Sequence, residues 1–138
     1  MKRIAPVILG FAALVLSTLT CNLFIRETSL INLRTARDED GHSPTTVYSP
    51  ADVFFVVGDL KNANADTVVV AIWRAAAVEG YDTDEVIYEQ VIGDFGSNHY
   101  TGSIYFKLSN DGDWSLGVYK VDILLNGTLV GSLPFSVR

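Results

Sequence analysis

The chain is predicted to be an all-β protein that folds as an antiparallel β-sandwich of seven or eight strands. From residue 28 onward, apolar residues recur with a period of two rather than 3.6, the periodicity of half-buried strands. Val, Ile, Tyr, Phe and Thr form short runs that are separated by Gly, Asn, Asp and Ser, as expected of strands joined by turns. Short strands at nearly regular spacing, without a convincing helix, favour a sandwich or barrel.

Six runs before the last third of the chain fit strands, and residues 75–85 fit no single pattern. In the first run, Ile31 and Leu33 are expected to share a face, although Leu30 blurs the alternation. In the sixth run, the alternation predicts that Ile104 and Phe106 face the core. The six runs are residues 29–35, 46–48, 52–60, 67–75, 85–92 and 100–108.

The strongest local signal is a β-hairpin at the C-terminal end. Asn126 and Gly127 stand between two alternating apolar runs, and Asn-Gly suits a type I′ turn because both central residues need positive φ. The outgoing strand is expected to turn Tyr119, Val121, Ile123 and Leu125 to one face. The return strand is expected to do the same with Leu129, Gly131, Leu133, Phe135 and Val137.

Residues 113–121, with the sequence Asp-Trp-Ser-Leu-Gly-Val-Tyr-Lys-Val, resemble the approach to the penultimate strand of immunoglobulin-like domains. In that family a tyrosine packs under the strand corner and bonds to nearby backbone, which implies this structural role for Tyr119. Trp73 is similar to the buried tryptophan of the family's third strand. Since no cysteine pair is present, the resemblance implies a disulfide-free immunoglobulin-like domain, similar to C-terminal domains of bacterial surface lipoproteins. Such a fold implies no particular activity.

The N-terminus has the layout of an export signal. Lys2 and Arg3 precede residues 4–16, which carry no charge, and polar residues lead to Cys21, the single cysteine. This stretch resembles a bacterial lipoprotein signal, in which the cysteine is acylated and becomes the new N-terminus. Thr18 and Thr20 depart from the residues preferred before that cysteine. An uncleaved signal-anchor helix and an ordinary signal peptide are the alternatives.

The resulting division of the chain is a signal peptide over residues 1–20, a lipid-anchor tether over 21–28 and the immunoglobulin-like domain over 29–138. Without the two basic residues of the signal, 8 of the 10 basic residues remain against 16 acidic ones. An acidic body of this kind has no electrostatic footprint for nucleic acid or anionic lipid. We therefore expect no nucleic-acid partner and a membrane contact made through the lipid anchor.

Acidic segments and histidines are the candidates for metal or catalytic chemistry. Residues 38–40, 82–85 and 110–113 gather carboxylates, the oxygen ligands that Ca²⁺ prefers, but none has the spacing of an EF-hand loop. His42 and His99 belong to no recognisable catalytic or zinc motif. Solvated turns explain these residues more simply, so no cofactor and no enzymatic activity are expected.

Five aromatic residues are candidates for a recognition surface, although ordinary core and cross-strand packing is the favoured interpretation of each one. They are Tyr81, Tyr88, Tyr100, Tyr105 and Trp114. The sequence thus predicts an exported, membrane-tethered module of the cell envelope with a non-catalytic binding or structural role and a protein or glycan partner. The alternatives are a small extracytoplasmic enzyme, a calcium-dependent binding protein that uses the acidic loops, and an assembly factor that pairs with partner strands.

Overall fold

The computed structural model describes residues 27–97 and 99–138. The predicted signal peptide, Cys21 and most of the predicted tether lie outside the described residues, so the assignment of residues 1–28 stays a prediction. Within the described ranges, no helix has the length and apolar character needed to span a membrane.

The described residues form eight strands and no helix, which confirms the all-β class. Strands β5 and β6 have the predicted bounds, whereas β4 extends to Val78 and so accounts for part of the stretch that fitted no pattern. The strands are β1 (Ser29–Ala36), β2 (Val47–Tyr48), β3 (Phe54–Ala63), β4 (Val69–Val78), β5 (Glu85–Ile92), β6 (Tyr100–Leu108), β7 (Gly117–Leu125) and β8 (Thr128–Val137).

The strands form two sheets that pack over one core as a β-sandwich. The first sheet has the order β1-β3-β6, and the second has the order β2-β8-β7-β4-β5. One feature departs from the antiparallel prediction, because β2 pairs with β8 in parallel over two residues. β1 belongs to the first sheet, and the chain reaches the second sheet after a loop in which Pro44 forms an antiparallel bridge with Ala36.

The hydroxyl of Tyr48 holds this crossover together. It donates to the carbonyl oxygen of Ala36 at 2.7 Å, and therefore joins β2 to the last residue of β1. The side chain is fully buried, and this burial raises the pKa of the Tyr48 hydroxyl because it disfavours the phenolate.

The predicted faces of β6 and β7 are confirmed. Ile104, Phe106 and Leu108 of β6 are buried, and Tyr105 and Lys107 are exposed. In β7 the buried residues are Tyr119, Val121, Ile123 and Leu125. Both strands keep the strict alternation that makes a half-buried strand readable from its sequence.

The predicted face of β1 is wrong, because a bulge interrupts the strand. The pairing of β1 with β3 shifts register between Ile31 and Arg34, and Asn32 adopts a φ of 55°. Leu30 is consequently buried while Ile31 is 41% exposed. Ile31 and Leu33 do not share an inward face, since an irregular residue lies between them and a bulge re-aims the side chains around it.

A second bulge corrects the prediction for β8. The register between β7 and β8 shifts after Ile123, so that Leu129 lies opposite Leu124. Leu129 is 58% exposed, whereas Phe135 and Val137 are buried as predicted. Because of the bulge, Leu129 does not lie on the face of β8 that packs into the core.

Aromatic rings fill one end of the core. Phe54 is fully buried and packs among five other aromatic rings. The centroid distances from Phe54 are 4.4 Å to Trp114, 4.7 Å to Phe135, 4.9 Å to Tyr48, 5.6 Å to Tyr119 and 6.2 Å to Trp73. These separations are close to those of favourable aromatic pairs. We call these six residues the aromatic cluster.

Gly117, at the start of β7, allows a close approach between two backbones. Its φ is 149°, and a Cβ atom there would lie 2.6 Å from the carbonyl oxygen of Ala77. We predict that Gly117→Ala lowers the free energy of unfolding by about 2–4 kcal/mol, because backbone strain and a clash add. Chemical denaturation of the full-length chain measures this change.

Gly80 provides a matched control. It also has positive φ, 91°, but a Cβ atom there would meet nothing within 4 Å. Gly80→Ala should therefore lower the free energy of unfolding by about 1–2 kcal/mol, through backbone strain alone. Equal losses in the two variants would contradict the close approach at Gly117.

Candidate functional site

The two aromatic residues singled out for structural roles are both in the core. Trp73 lies on β4 and is fully buried, and Tyr119 on β7 is nearly so. The Tyr119 hydroxyl donates to the carbonyl oxygen of Ser115 at 2.7 Å, which is the geometry of a tyrosine corner. Burial raises the pKa of this hydroxyl, since the charged form would be poorly solvated.

Asn126 and Gly127 form the two-residue turn between β7 and β8, with φ values of 50° and 82°, both positive as a type I′ turn requires. Asn126 has a further role. Its backbone N–H donates to the carbonyl oxygen of Val68, and its side-chain oxygen accepts from the Val68 N–H. The hairpin turn is thereby fastened to the residue that precedes β4.

The acidic segment 38–40 shapes its own loop. Asp38 accepts hydrogen bonds from the backbone N–H groups of Ser43 and His42, at 3.0 and 3.1 Å. The bond from Ser43 is the main cause of the lowered pKa of the Asp38 carboxyl. Ligand atoms of Asp38, Asp40 and His42 lie within 4.8 Å of one another. Because the carboxylate of Asp38 is already engaged with backbone, its described contacts are those of a turn residue.

The other acidic segments and the second histidine do not join that cluster. Asp84 forms a salt bridge with Lys120 at 3.1 Å. His99 precedes β6, at the end of the sandwich where β1 begins, because Ser29 pairs with Lys61 and Ala63 with Tyr100. His42 follows β1 and so lies at the opposite end. The two histidines therefore lie at opposite ends of the described sandwich and do not share a site.

Three of the five candidate aromatic residues do converge on one cleft of about 460 Å³. They are Tyr81, Tyr88 and Trp114, whereas Tyr100 and Tyr105 lie outside it. The cleft occupies the gap between β5 and β6, the outermost strands of the two sheets on this side. Its lining consists of Tyr81, Ile87, Tyr88, Gln90, Lys107, Leu108, Ser109, Asn110, Trp114 and Tyr119.

Gln90 bridges the gap and connects the two sheets. Its Nε2 donates to the carbonyl oxygen of Lys107 on β6 at 2.6 Å. Its Oε1 accepts from Nε1 of the buried Trp73 at 2.8 Å. Sequence reasoning missed this residue. A buried tryptophan needs an acceptor, but that rule does not say which of the polar residues supplies it.

The floor of the cleft is fixed by Trp114. The indole Nε1 donates to the carbonyl oxygen of Asp52 at 2.9 Å, and the backbone N–H donates to Pro50 at 2.7 Å. One ring face stacks on Phe54, with 19° between the planes. The walls are more accessible to solvent, because Tyr81 and Tyr88 are 45% and 49% exposed. The cleft therefore has a rigid base beneath accessible rings.

The polar groups of the cleft are mostly uncharged. Gln90, Ser109 and Asn110 contribute amides and a hydroxyl, and Lys107 is the one charged residue in the described lining. Among the described residues of the lining there is no carboxylate, histidine or cysteine. Such a combination of amides, hydroxyl groups and aromatic rings can bind a polar ligand.

Comparisons with known proteins inform the fold. No family model and no curated protein matches the chain. Among solved structures, an alkylpurine DNA glycosylase of Pseudomonas fluorescens bound to DNA is similar with a TM-score of 0.52 and 17% identity, over 85% of this chain and 32% of that one. A β-glucosidase of Listeria innocua in complex with glucose gives a TM-score of 0.50 and 12% identity, over 80% of this chain and 16% of that one.

These similarities concern the fold alone. The chain corresponds to about a third of the first protein and about a sixth of the second, and the identities are too low to transfer an activity. One β-sandwich architecture serves unrelated functions.

The bond between Gln90 and Trp73 generates a prediction. Gln90→Leu leaves the buried Trp73 N–H without its acceptor, so the free energy of unfolding should fall by about 1–3 kcal/mol. In a Trp73→Phe background that donor is absent, and the same substitution should be less destabilising by about 1–2 kcal/mol. Denaturant unfolding of the four proteins measures the coupling. An identical loss in both backgrounds would show that the hydrogen bond contributes nothing.

Proposed function

We propose that this protein is an exported module of the cell envelope, tethered to the membrane through Cys21, with a non-catalytic binding role. The observation that carries the binding role is the cleft between β5 and β6, which combines accessible tyrosines, uncharged polar groups and a fixed floor. The proposed extracytoplasmic, membrane-tethered location rests on the predicted export signal and Cys21. The partner is a protein or a glycan in the extracytoplasmic space.

Within this proposal the domain is immunoglobulin-like. The division into a three-stranded and a five-stranded sheet supports this assignment, as does the crossing of the chain from β1 in the first sheet to β2 in the second. The hydroxyl contact of Tyr119 and the burial of Trp73 add two features that such domains share. The hydrophobic core takes the place of the missing disulfide.

The position of the chain entry fits a tethered binding module. Glu27 lies beside Asn62, whose amide donates to its carbonyl oxygen at 3.2 Å. The loops that carry Tyr81 and Trp114 are at the other end of the strands, since β5 starts and β6 ends there. Strands of eight or nine residues span about 25–30 Å. A lipid on Cys21 would therefore leave the loop end of the cleft facing away from the membrane.

The alternative of a small extracytoplasmic enzyme or a calcium-dependent binding protein has less support. Its strongest candidate is the group of Asp38, Asp40 and His42, in which Asp38 is half-buried and accepts two backbone hydrogen bonds. Exposed acidic turns of this kind are common without a metal ion.

The tether is tested by the intact mass of the protein isolated from bacterial membranes. We predict a mature protein that begins at Cys21 and carries a di- or tri-acyl mass increment, with the increment lost in Cys21→Ser. Thr20→Ser is the control, because it keeps the cysteine and places a preferred residue before it, so the increment should remain. An unmodified and uncleaved N-terminus in the wild-type protein would refute the anchor.

A further inference from the structure

We propose that the cleft between β5 and β6 binds a neutral saccharide, an inference that rests on the binding role proposed above and names its ligand class. Four features support it: the aromatic walls, the orientation of the Gln90 amide, the distribution of charge around the cleft and the bond that occupies the adjoining strand edge.

The walls provide flat apolar surfaces at an open position. Tyr81 comes from the β4–β5 loop and Tyr88 from the edge strand β5, and about half of each side chain is exposed. A pyranose ring has an apolar C–H face and a rim of hydroxyl groups. Aromatic rings can pack against the C–H face while nearby polar groups bind the hydroxyl groups.

Gln90 offers this rim a pre-oriented donor and acceptor. An amide has two N–H donors and an oxygen with two lone pairs. The bonds to the Lys107 carbonyl and to the Trp73 indole use one donor and one lone pair. Each amide atom therefore keeps one hydrogen-bonding position, in a side chain whose rotamer is already fixed. A hydroxyl group, which both donates and accepts, matches that pair.

Charge disfavours an anionic ligand. Lys107 is the single cation in the described lining, and the two loops at this end contain five carboxylates, Glu79, Asp82, Asp84, Asp111 and Asp113. Asp84 is paired with Lys120. The other carboxylates of the two loops make the surroundings of the exposed Lys107 acidic. A phosphate or uronate would be repelled there, whereas an uncharged sugar would not.

An extended peptide fits the cleft less well than a saccharide. A peptide that added a strand to β6 would bond to the free carbonyl and N–H groups along that edge. The Lys107 carbonyl already accepts a short bond from Gln90 across the gap. An incoming strand would have to break this bond and leave Gln90, which also serves the buried Trp73, to find a new partner.

The volume of about 460 Å³ falls within the range of small-ligand pockets. Because the two tyrosines are exposed, the cleft is open to solvent on one side. One or two units of a longer glycan can therefore occupy it while the rest of the glycan extends outward.

The test titrates the full-length chain with hexasaccharides of β-1,3-glucose, β-1,4-glucose, β-1,4-xylose and β-1,4-N-acetylglucosamine. Tryptophan fluorescence is the readout, because Trp114 lines the cleft and Trp73 bonds to Gln90. The detergent must be non-glycosidic, such as lauryldimethylamine oxide, since alkyl maltosides would compete. We expect saturable binding of at least one hexasaccharide, weakened about tenfold or more by Tyr81→Ala or Tyr88→Ala.

Tyr105→Ala is the matched control. Tyr105 is a tyrosine on β6 that is 40% exposed but lies outside the cleft, so its loss should leave saccharide binding unchanged. Circular dichroism and thermal unfolding of all three variants show whether each is folded. A Tyr81 or Tyr88 variant that unfolds is replaced by the corresponding substitution to Ser, read in the same way.

Two results would overturn the proposal. One is the absence of saturable binding by all four hexasaccharides, and the other is binding that the Tyr81 and Tyr88 variants leave intact. An extended heptapeptide rich in Val and Thr is the comparison probe. If this peptide binds, none of the hexasaccharides does, and the same two variants abolish peptide binding, the saccharide is excluded while the cleft keeps a binding role. The membrane tether is decided separately by the intact mass.

Discussion

The packing of Phe54 between the sheets is the interaction on which the rest of the structure depends. With no cysteine among the described residues, no disulfide bond connects the two sheets of the described sandwich. Phe54 on β3 instead contacts rings from the other sheet, Tyr119 on β7 and Phe135 on β8, and stacks on Trp114 from the β6–β7 loop. Burial of such rings is the largest apolar contribution that single side chains can make.

This packing connects the stability of the fold to the cleft. Trp114 stacks on Phe54 and donates a hydrogen bond to the Asp52 carbonyl oxygen. The floor of the cleft is therefore part of the core. Gln90 makes the same connection on the other side, because it satisfies buried Trp73 and reaches the β6 edge. The residues that would meet a ligand are thus positioned by residues that stabilise the sandwich, which is how a small domain can keep a site rigid.

Much of the fold could be predicted from local pattern, and the remainder depends on tertiary contacts. The strict alternation of β6 and β7 and the Asn126-Gly127 turn are local signals, and the structure has these elements where the sequence places them. The bulges at Asn32 and near Leu129 are not local signals, since each is a mismatch with a neighbouring strand. The sequence identified aromatic residues of the cleft as candidates, but it could not predict where the cleft lies. Tyr88 and Trp114 line the same cleft only because β5 and β6 are edge strands of different sheets.

The dependence on Phe54 is tested most directly by comparing Phe54→Ala with Phe55→Ala in the full-length chain. The two residues are neighbours on β3, but Phe54 is fully buried and Phe55 is half-buried. Removal of Phe54 should lower the free energy of unfolding by about 3–5 kcal/mol and shift the tryptophan emission to longer wavelength, because Trp114 loses its stacking partner. Phe55→Ala should have a clearly smaller effect and leave the emission unchanged. Similar losses in the two variants, or an unchanged emission after Phe54→Ala, would contradict the central role of Phe54.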